Sequence, residues 1–332
     1  QAQLRLGADM GDIAWRGAQA DLMLRTTERY LALAVAQERV RVVERQWQAV
    51  SRSRAEAHDR YQLGASPITD THEADAALAG VRAQQSAAEL ELSVQRDRLA
   101  GSTGLAQPRA RLPLAPLAPV EALPFWLAAA ESDNPRLRLL AQAVALAEQK
   151  LRQHSVAGRA TLDLVAQAGH ERIAGGGDFG SARNRSLNGM VGVQLNIPLY
   201  TGGMREAQER EAAERLNQAM AELELAREDV AQQVRATWQG LQTGAARLAA
   251  LQEGLVASRA RLDATRLGRE VGDRTTLDVL NAENAQADAE LALAQARSDQ
   301  VLTRLRLAAL TDRLDEALLT QVDATLAPEV PR

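Results

Sequence analysis

The sequence predicts a mainly α fold of long coiled-coil helical hairpins with one short transmembrane β-hairpin, and three observations carry that prediction. Aliphatic residues recur at seven-residue intervals through the longest helical stretch. A turn built from Gly, Ser or Thr, and Asp occurs twice, 208 residues apart. One segment, 190–199, alternates strictly between apolar and polar side chains.

Four stretches read as long helices: 1–60, 71–102, 204–270 and 279–311. In the third, Val234, Leu241, Leu248, Leu255 and Leu262 form one seven-residue series. Leu216, Leu223 and Val230 form another just before it, joined by a four-residue step. Such a seam packs lengthwise against other helices. At ~1.5 Å per residue this stretch makes a rod on the order of 100 Å, a length that serves reach. Composition agrees. Only 3 % of residues are aromatic while 46 % are hydrophobic, so Ala, Leu and Val supply most of the apolar content. Small aliphatics suit close helix–helix packing, whereas a globular core leans on aromatic bulk.

The chain repeats itself. A shift of 208 places Gly64 on Gly272, Asp70 on Asp278, Arg96 on Arg304, Arg98-Leu99-Ala100 on Arg306-Leu307-Ala308 and Thr103 on Thr311. Over 64–103, 11 of 40 positions are identical without a gap. Each copy reads as long helix, short turn, shorter helix. The first turn is Tyr61-Gln62-Leu63-Gly64-Ala65-Ser66-Pro67-Ile68-Thr69-Asp70, and the second is Glu270-Val271-Gly272-Asp273-Arg274-Thr275-Thr276-Leu277-Asp278. Gly ends the incoming helix because it tolerates a left-handed residue there. Ser or Thr and then Asp open the outgoing helix, where free N–H groups and the helix dipole favour them.

Between the copies, Pro108 to Pro124 reads as irregular connection, and Asn134-Pro135 starts a helix to about Ala157. In 190–199, Val191, Val193, Leu195, Ile197 and Leu199 alternate with Met190, Gly192, Gln194, Asn196 and Pro198. Period-two alternation of this length fits a strand with its apolar face to lipid and its polar face to a lumen. Residues 161–173 are its expected partner, with 174–188 as an exposed loop. A half-buried strand of a soluble sheet is the competing reading. It lacks the other strands such a sheet needs, since an isolated hairpin is marginal in water. Two strands close no barrel, so other chains must supply the rest.

Several functions are disfavoured. The formal net charge of −4 gives no basic footprint for nucleic acid. Without cysteine there is no disulfide framework, thiolate metal site or Cys nucleophile. No run of 18 apolar residues spans a bilayer as a helix. His58, His72, His154 and His170 are scattered without helical pairing, so no metal site is expected. Gly175-Gly176-Gly177 lacks the Gly-Lys-Ser/Thr of a phosphate loop. No nucleophile elbow appears, and neither an enzyme nor a cofactor is expected.

Taken together, these features resemble the TolC-like outer-membrane efflux and secretion channels. The residues that carry the resemblance are Thr161-Leu162-Asp163-Leu164, then Val193-Gln194-Leu195-Asn196-Ile197-Pro198-Leu199-Tyr200-Thr201-Gly202-Gly203, and the turn Val271 to Leu280 with its twin around Gly64. Within that family, Trp126-Leu127-Ala128-Ala129-Ala130 through Asn134-Pro135 is more similar to the protein-secretion branch. The resemblance implies a homotrimer in the Gram-negative outer membrane that extends into the periplasm. Each protomer would give four strands to a twelve-stranded barrel in contact with outer-membrane lipid, and long helices to a tunnel (an α-barrel). The implied partners are a periplasmic adaptor and an inner-membrane transporter of ABC or RND type, with no nucleic acid.

On this reading the chain divides into a first helical hairpin (1–104), a Pro-rich equatorial connection (105–133), a helix (134–160), the transmembrane β-hairpin (161–200), a second helical hairpin (201–312) and a C-terminal equatorial segment (313–332). Carried over by position, Asp70, Arg274 and Asp278 would hold the periplasmic entrance shut, although helix starts and solvated loop charge account for the same residues. A second acidic position of the family is Asn281 here. Gly64, Ala65, Ser66, Gly272 and Asp273 would meet the adaptor. Val191, Val193, Leu195, Ile197 and Leu199 would face lipid. Because Gln1 falls on Glu209 by the same shift, a full protomer is expected to carry an earlier hairpin and helix ahead of Gln1.

Two other classes compete with an export duct. A periplasmic adaptor would carry one helical hairpin between β-rich halves, and this chain has two. A soluble coiled-coil scaffold would leave the alternation in 190–199 unexplained.

Overall fold

The computed structural model describes residues 2–115, 118–156, 161–177, 180–197, 200 and 202–326. Along the chain these form α1 (Ala2–Gln62), α2 (Ile68–Thr103), α3 (Leu123–Asp133), α4 (Pro135–Val156), β1 (Thr161–Gly177), β2 (Gly180–Asn196), α5 (Met204–Glu270), α6 (Thr276–Leu310) and α7 (Glu316–Asp323). Two units result: one of 1–8 with 140–225, the other of 9–139 with 226–332. No helix among the described residues is long and apolar enough to cross a membrane.

In the second unit, apolar strips between helices do the packing. The seam of α5 is buried at Val230, Val234, Leu241, Leu255 and Leu262, with Leu248 half-buried. Leu262 meets Val279 and Ala282 of α6. Val43 and Val50 of α1, Leu78, Val81 and Ala88 of α2, and Leu280 of α6 make a second strip. Trp126 is the one aromatic residue in this buried set among the described residues, so Leu, Val and Ala carry the packing. Ion pairs flank the strips: Arg45–Glu290 at 2.6 Å and Arg306–Glu28 at 2.9 Å join α1 to α6, and Arg54–Asp75 at 2.7 Å joins α1 to α2.

The connection 105–133 is less irregular than its prolines imply, since α3 begins at Leu123 with a proline in its first turn, where a missing N–H costs nothing. Asn134 then serves two helix ends. Its side-chain oxygen accepts from the Leu137 N–H at 3.1 Å, and its amide donates to the Leu310 carbonyl at the end of α6 at 2.8 Å. Beyond α6, Asp315 caps α7 by accepting from the Leu318 N–H at 2.8 Å. The segment after α7 returns to the connection, where Leu114 N–H donates to the Thr325 carbonyl at 2.9 Å and Pro113 bridges Leu326.

In the first unit, β1 and β2 form a two-stranded antiparallel sheet. Pairing runs unbroken from Thr161↔Asn196 to Gly177↔Gly180. The expected loop at 174–188 is therefore strand at its described residues, 174–177 and 180–188. The cause is that a ladder is held by backbone hydrogen bonds. The Gly, Ser, Asn and Arg residues of that stretch pair without the apolar alternation on which the expectation relied.

Candidate functional site

The two turns are built alike. In the first, Ala65 N–H donates to the Arg60 carbonyl at 2.7 Å and Gly64 N–H to the Tyr61 carbonyl at 2.9 Å. In the second, Asp273 N–H donates to Gly268 at 2.8 Å and Gly272 N–H to Arg269 at 3.1 Å. Both are the paired closure of a Schellman motif, which needs a left-handed residue at its centre. Gly64 at φ 69° and Gly272 at φ 84° supply it. Space is free around both, so a side chain there meets backbone strain and no steric obstacle.

The outgoing helices start three residues earlier than their sequence suggests, at Ile68 and Thr276, which places Asp70 and Asp278 at the third helical position. At the second turn the reason is a capping box. Thr275 accepts from the Asp278 N–H at 3.1 Å, and Asp278 accepts from the Thr275 N–H at 2.9 Å and from its hydroxyl at 3.0 Å. These Thr275 bonds, with the Arg274 charge nearby, hold the Asp278 carboxyl below its usual range. The first turn has Pro67 at the cap position and no side-chain cap.

Asp70 is half-buried and accepts from the Thr276 hydroxyl at 3.4 Å, so the two turns touch. Arg274 is exposed, and its N–H reaches the Gly268 carbonyl at 3.2 Å. Its stem lies over Gly268, where an added Cβ would stand 2.8 Å from the Arg274 Cγ. Within the chain Arg274 and Asp70 make no ion pair among the described residues. Ser66 is half-buried, whereas Ala65 and Asp273 are exposed at the turn tips.

Just behind the turns lies a cluster of charge that the sequence reading missed. Arg269 is 8 % exposed and meets Glu56 at 2.5 Å, while Glu283 is 7 % exposed and meets Arg266 at 3.1 Å. They line a cavity of about 270 Å³ with Arg52, Ser53 and Glu270. Burial pushes the Glu283 carboxyl up, and the bond from Arg266 offsets only part of this. A signal was available: Arg269 stands seven residues after Leu262, at the next position of the aliphatic seam.

On the hairpin, Leu162, Leu164 and Ala166 stand opposite Leu195, Val193 and Val191, so both strands contribute to one apolar face. The Leu and Val side chains of that face are 59–78 % exposed. The opposite face carries Asp163, Gln167, Glu171, Asn188 and Gln194. Ile197 is exposed just past the end of β2, and Leu199 lies outside the described residues. An uncovered apolar face of this kind marks a contact with lipid or with another chain. Among the described residues, no three His, Cys, Asp or Glu side chains gather to hold a metal ion.

The profile of the outer membrane efflux protein family matches residues 126–313, more than half of the chain, including the hairpin and the second turn. The chain belongs to this family. The outer membrane protein TolC of Vibrio cholerae is 28 % identical over 331 residues, covering 96 % of this chain and 74 % of that protein. The alkaline protease secretion protein AprF of Pseudomonas aeruginosa is also 28 % identical, covering 95 % of this chain and 66 % of its own length. The fold matches the Campylobacter jejuni CmeC outer membrane channel with a TM-score of 0.78 at 12 % identity, covering 97 % of this chain and 69 % of that one. The mainly helical fold and its β-hairpin agree with that membership.

Proposed function

We propose that this chain is one protomer of a trimeric exit duct in the Gram-negative outer membrane, serving a tripartite efflux or type I secretion system. The duct conducts substrates passively across periplasm and outer membrane, and no step of it is catalytic. The observation that carries this reading is the β1–β2 hairpin, whose apolar face is exposed along both strands. Backbone groups in a bilayer must be satisfied internally, which for strands requires a closed barrel. Two strands from one chain do not close, so copies of the chain supply the others.

On this reading the helical hairpins 1–104 and 201–312 line the periplasmic tunnel, and 105–133 and 313–332 form the equatorial region. The turns at Gly64 and Gly272 meet a periplasmic adaptor through Ala65, Ser66 and Asp273. The adaptor joins the duct to an inner-membrane transporter of ABC or RND type. Asp70, Arg274 and Asp278 form the closed entrance. The resemblance to a protease secretion protein favours the secretion branch.

The test is extraction and size. The protein should leave Gram-negative envelopes only with detergent and run as a trimer. A monodisperse monomer in plain buffer would sink the reading.

A further inference from the structure

A second cavity, of about 1450 Å³, opens among α1, α5, α6 and the connection that follows α2. Its lining is unusual for its charge. Arg41 and Arg45 of α1, Arg259 of α5, Arg297 of α6, and Arg109 and Arg111 of the connection all border it, against only Glu38 and Glu290. Both carboxylates are shared. Glu38 lies 2.9 Å from Arg41 and 3.9 Å from Arg45, and Glu290 lies 2.6 Å from Arg45 and 3.1 Å from Arg259. Arg111 is held by Asp323 at 2.8 Å. That leaves Arg109 with no anionic partner among the described residues, and the Arg297 Nε buried without a hydrogen-bond acceptor. Burial lowers the Arg297 pKa, and the distant Glu38 charge makes up only part of the loss.

Surplus guanidinium groups around an open volume repel one another, and the repulsion is stronger beside the apolar floor of Leu255, Leu293 and Ala294 than in bulk water. An anion relieves it. Guanidinium offers planar paired donors that match phosphate oxygens, and several forks from four chain segments suit more than one phosphate group. The volume exceeds the ~300–1,000 Å³ of ordinary small-molecule sites, leaving room for a hydrated ligand.

We propose that this cavity binds a compact polyanion carrying two or more phosphate groups. Such chemistry occurs in soluble polyphosphates and in phosphorylated lipid headgroups.

The experiment is titration calorimetry of the purified, detergent-solubilised protein with tripolyphosphate and with orthophosphate at fixed ionic strength. Tripolyphosphate should bind, and orthophosphate should bind far more weakly. Arg297→Gln should weaken tripolyphosphate binding about tenfold, as expected for one charged hydrogen-bonding group. Arg109→Gln, on an exposed connection where folding is not at risk, should weaken it too. Arg98→Gln, an exposed position of α2 outside the cavity, should leave it unchanged. Mixed micelles carrying a bisphosphorylated lipid supply a second arm: tighter binding there assigns the phosphates to a headgroup, weaker binding to a soluble polyanion, and either supports the site. Absence of tripolyphosphate binding overturns the proposal, as it would if a neighbouring copy filled the cavity. Equal weakening by Arg98→Gln and Arg297→Gln overturns it as well, because binding would then be a general surface effect. Since binding is read in solution whether or not the protein conducts, a failure here is distinct from a failure of the duct.

Discussion

The Thr276 hydroxyl donates to the Asp70 carboxylate across 3.4 Å, joining two turns 206 residues apart in the chain. Asp70 and Asp278 occupy the same position of the repeat, yet their surroundings differ. Asp278 is committed to its own helix start through Thr275, whereas Asp70 reaches across to the other hairpin. The repeat thus builds one helical hairpin that is closed on itself at its turn and one whose acidic residue is left for a neighbour.

That asymmetry predicts different local stabilities. Thr275→Ala removes the side-chain cap of α6 and should cost about 1 kcal/mol. Amide exchange should accelerate at 276–278 in the variant. In the unaltered protein, exchange at 68–70 should already be faster, because Pro67 provides no side-chain cap. Equal exchange at the two helix starts would contradict the account.

The entrance charges lead to a second prediction. Arg274 lies back over Gly268, so within one chain it is free to meet Asp70 of a neighbouring hairpin only by swinging outward. Exposed ion pairs contribute ~0–1 kcal/mol each, and a loss of ~1 kcal/mol from the closed state would shift the open-to-closed ratio about fivefold. Asp70→Ala with Arg274→Ser should therefore raise single-channel conductance while the trimer stays intact. Unchanged conductance would return both residues to the roles of helix start and solvated loop charge.

Much of this was legible in the sequence because the signals are periodic. The seam from Val230 to Leu262 and the turns at Gly64 and Gly272 follow from side-chain spacing and from the demand for a left-handed residue. The apolar face at Val191, Val193 and Leu195 was readable for the same reason. The far half of the hairpin was not, because strand pairing there rests on backbone groups that leave no side-chain pattern. Nor were the charges behind the turns. Arg269 is marked only by its place seven residues after Leu262 on the aliphatic seam, Glu283 by no spacing at all, and the packing of α1, α5 and α6 buries both.

The strand faces give a third prediction. Leu164→Arg or Val193→Arg should block membrane insertion, since Arg on a lipid-facing site near the midplane costs ~2–4 kcal/mol. Gln194→Arg, on the opposite face of the same strand, should be tolerated. Outer-membrane trimer levels report the difference, and equal tolerance would reject the assignment of faces.

Glu283 gives a fourth, through pH. Its carboxyl is pushed up in the folded protein. A raised carboxyl contributes its stability at low pH, where it is protonated in both states, and loses it as pH rises through the folded value. Glu283→Gln mimics the neutral form. It should raise the melting temperature at neutral pH, with a gain that shrinks as the pH falls below the folded value. A gain that grows on acidification would contradict the assigned direction.

The central claim is that copies of this chain assemble into a conducting pore, and planar-bilayer recording of the detergent-purified trimer tests it most directly. The account predicts stepwise insertion with a discrete, low conductance, cation-selective as the proposed ring of Asp70 and Asp278 at the entrance requires. Trimers shown to be inserted in the bilayer that pass no current would contradict it.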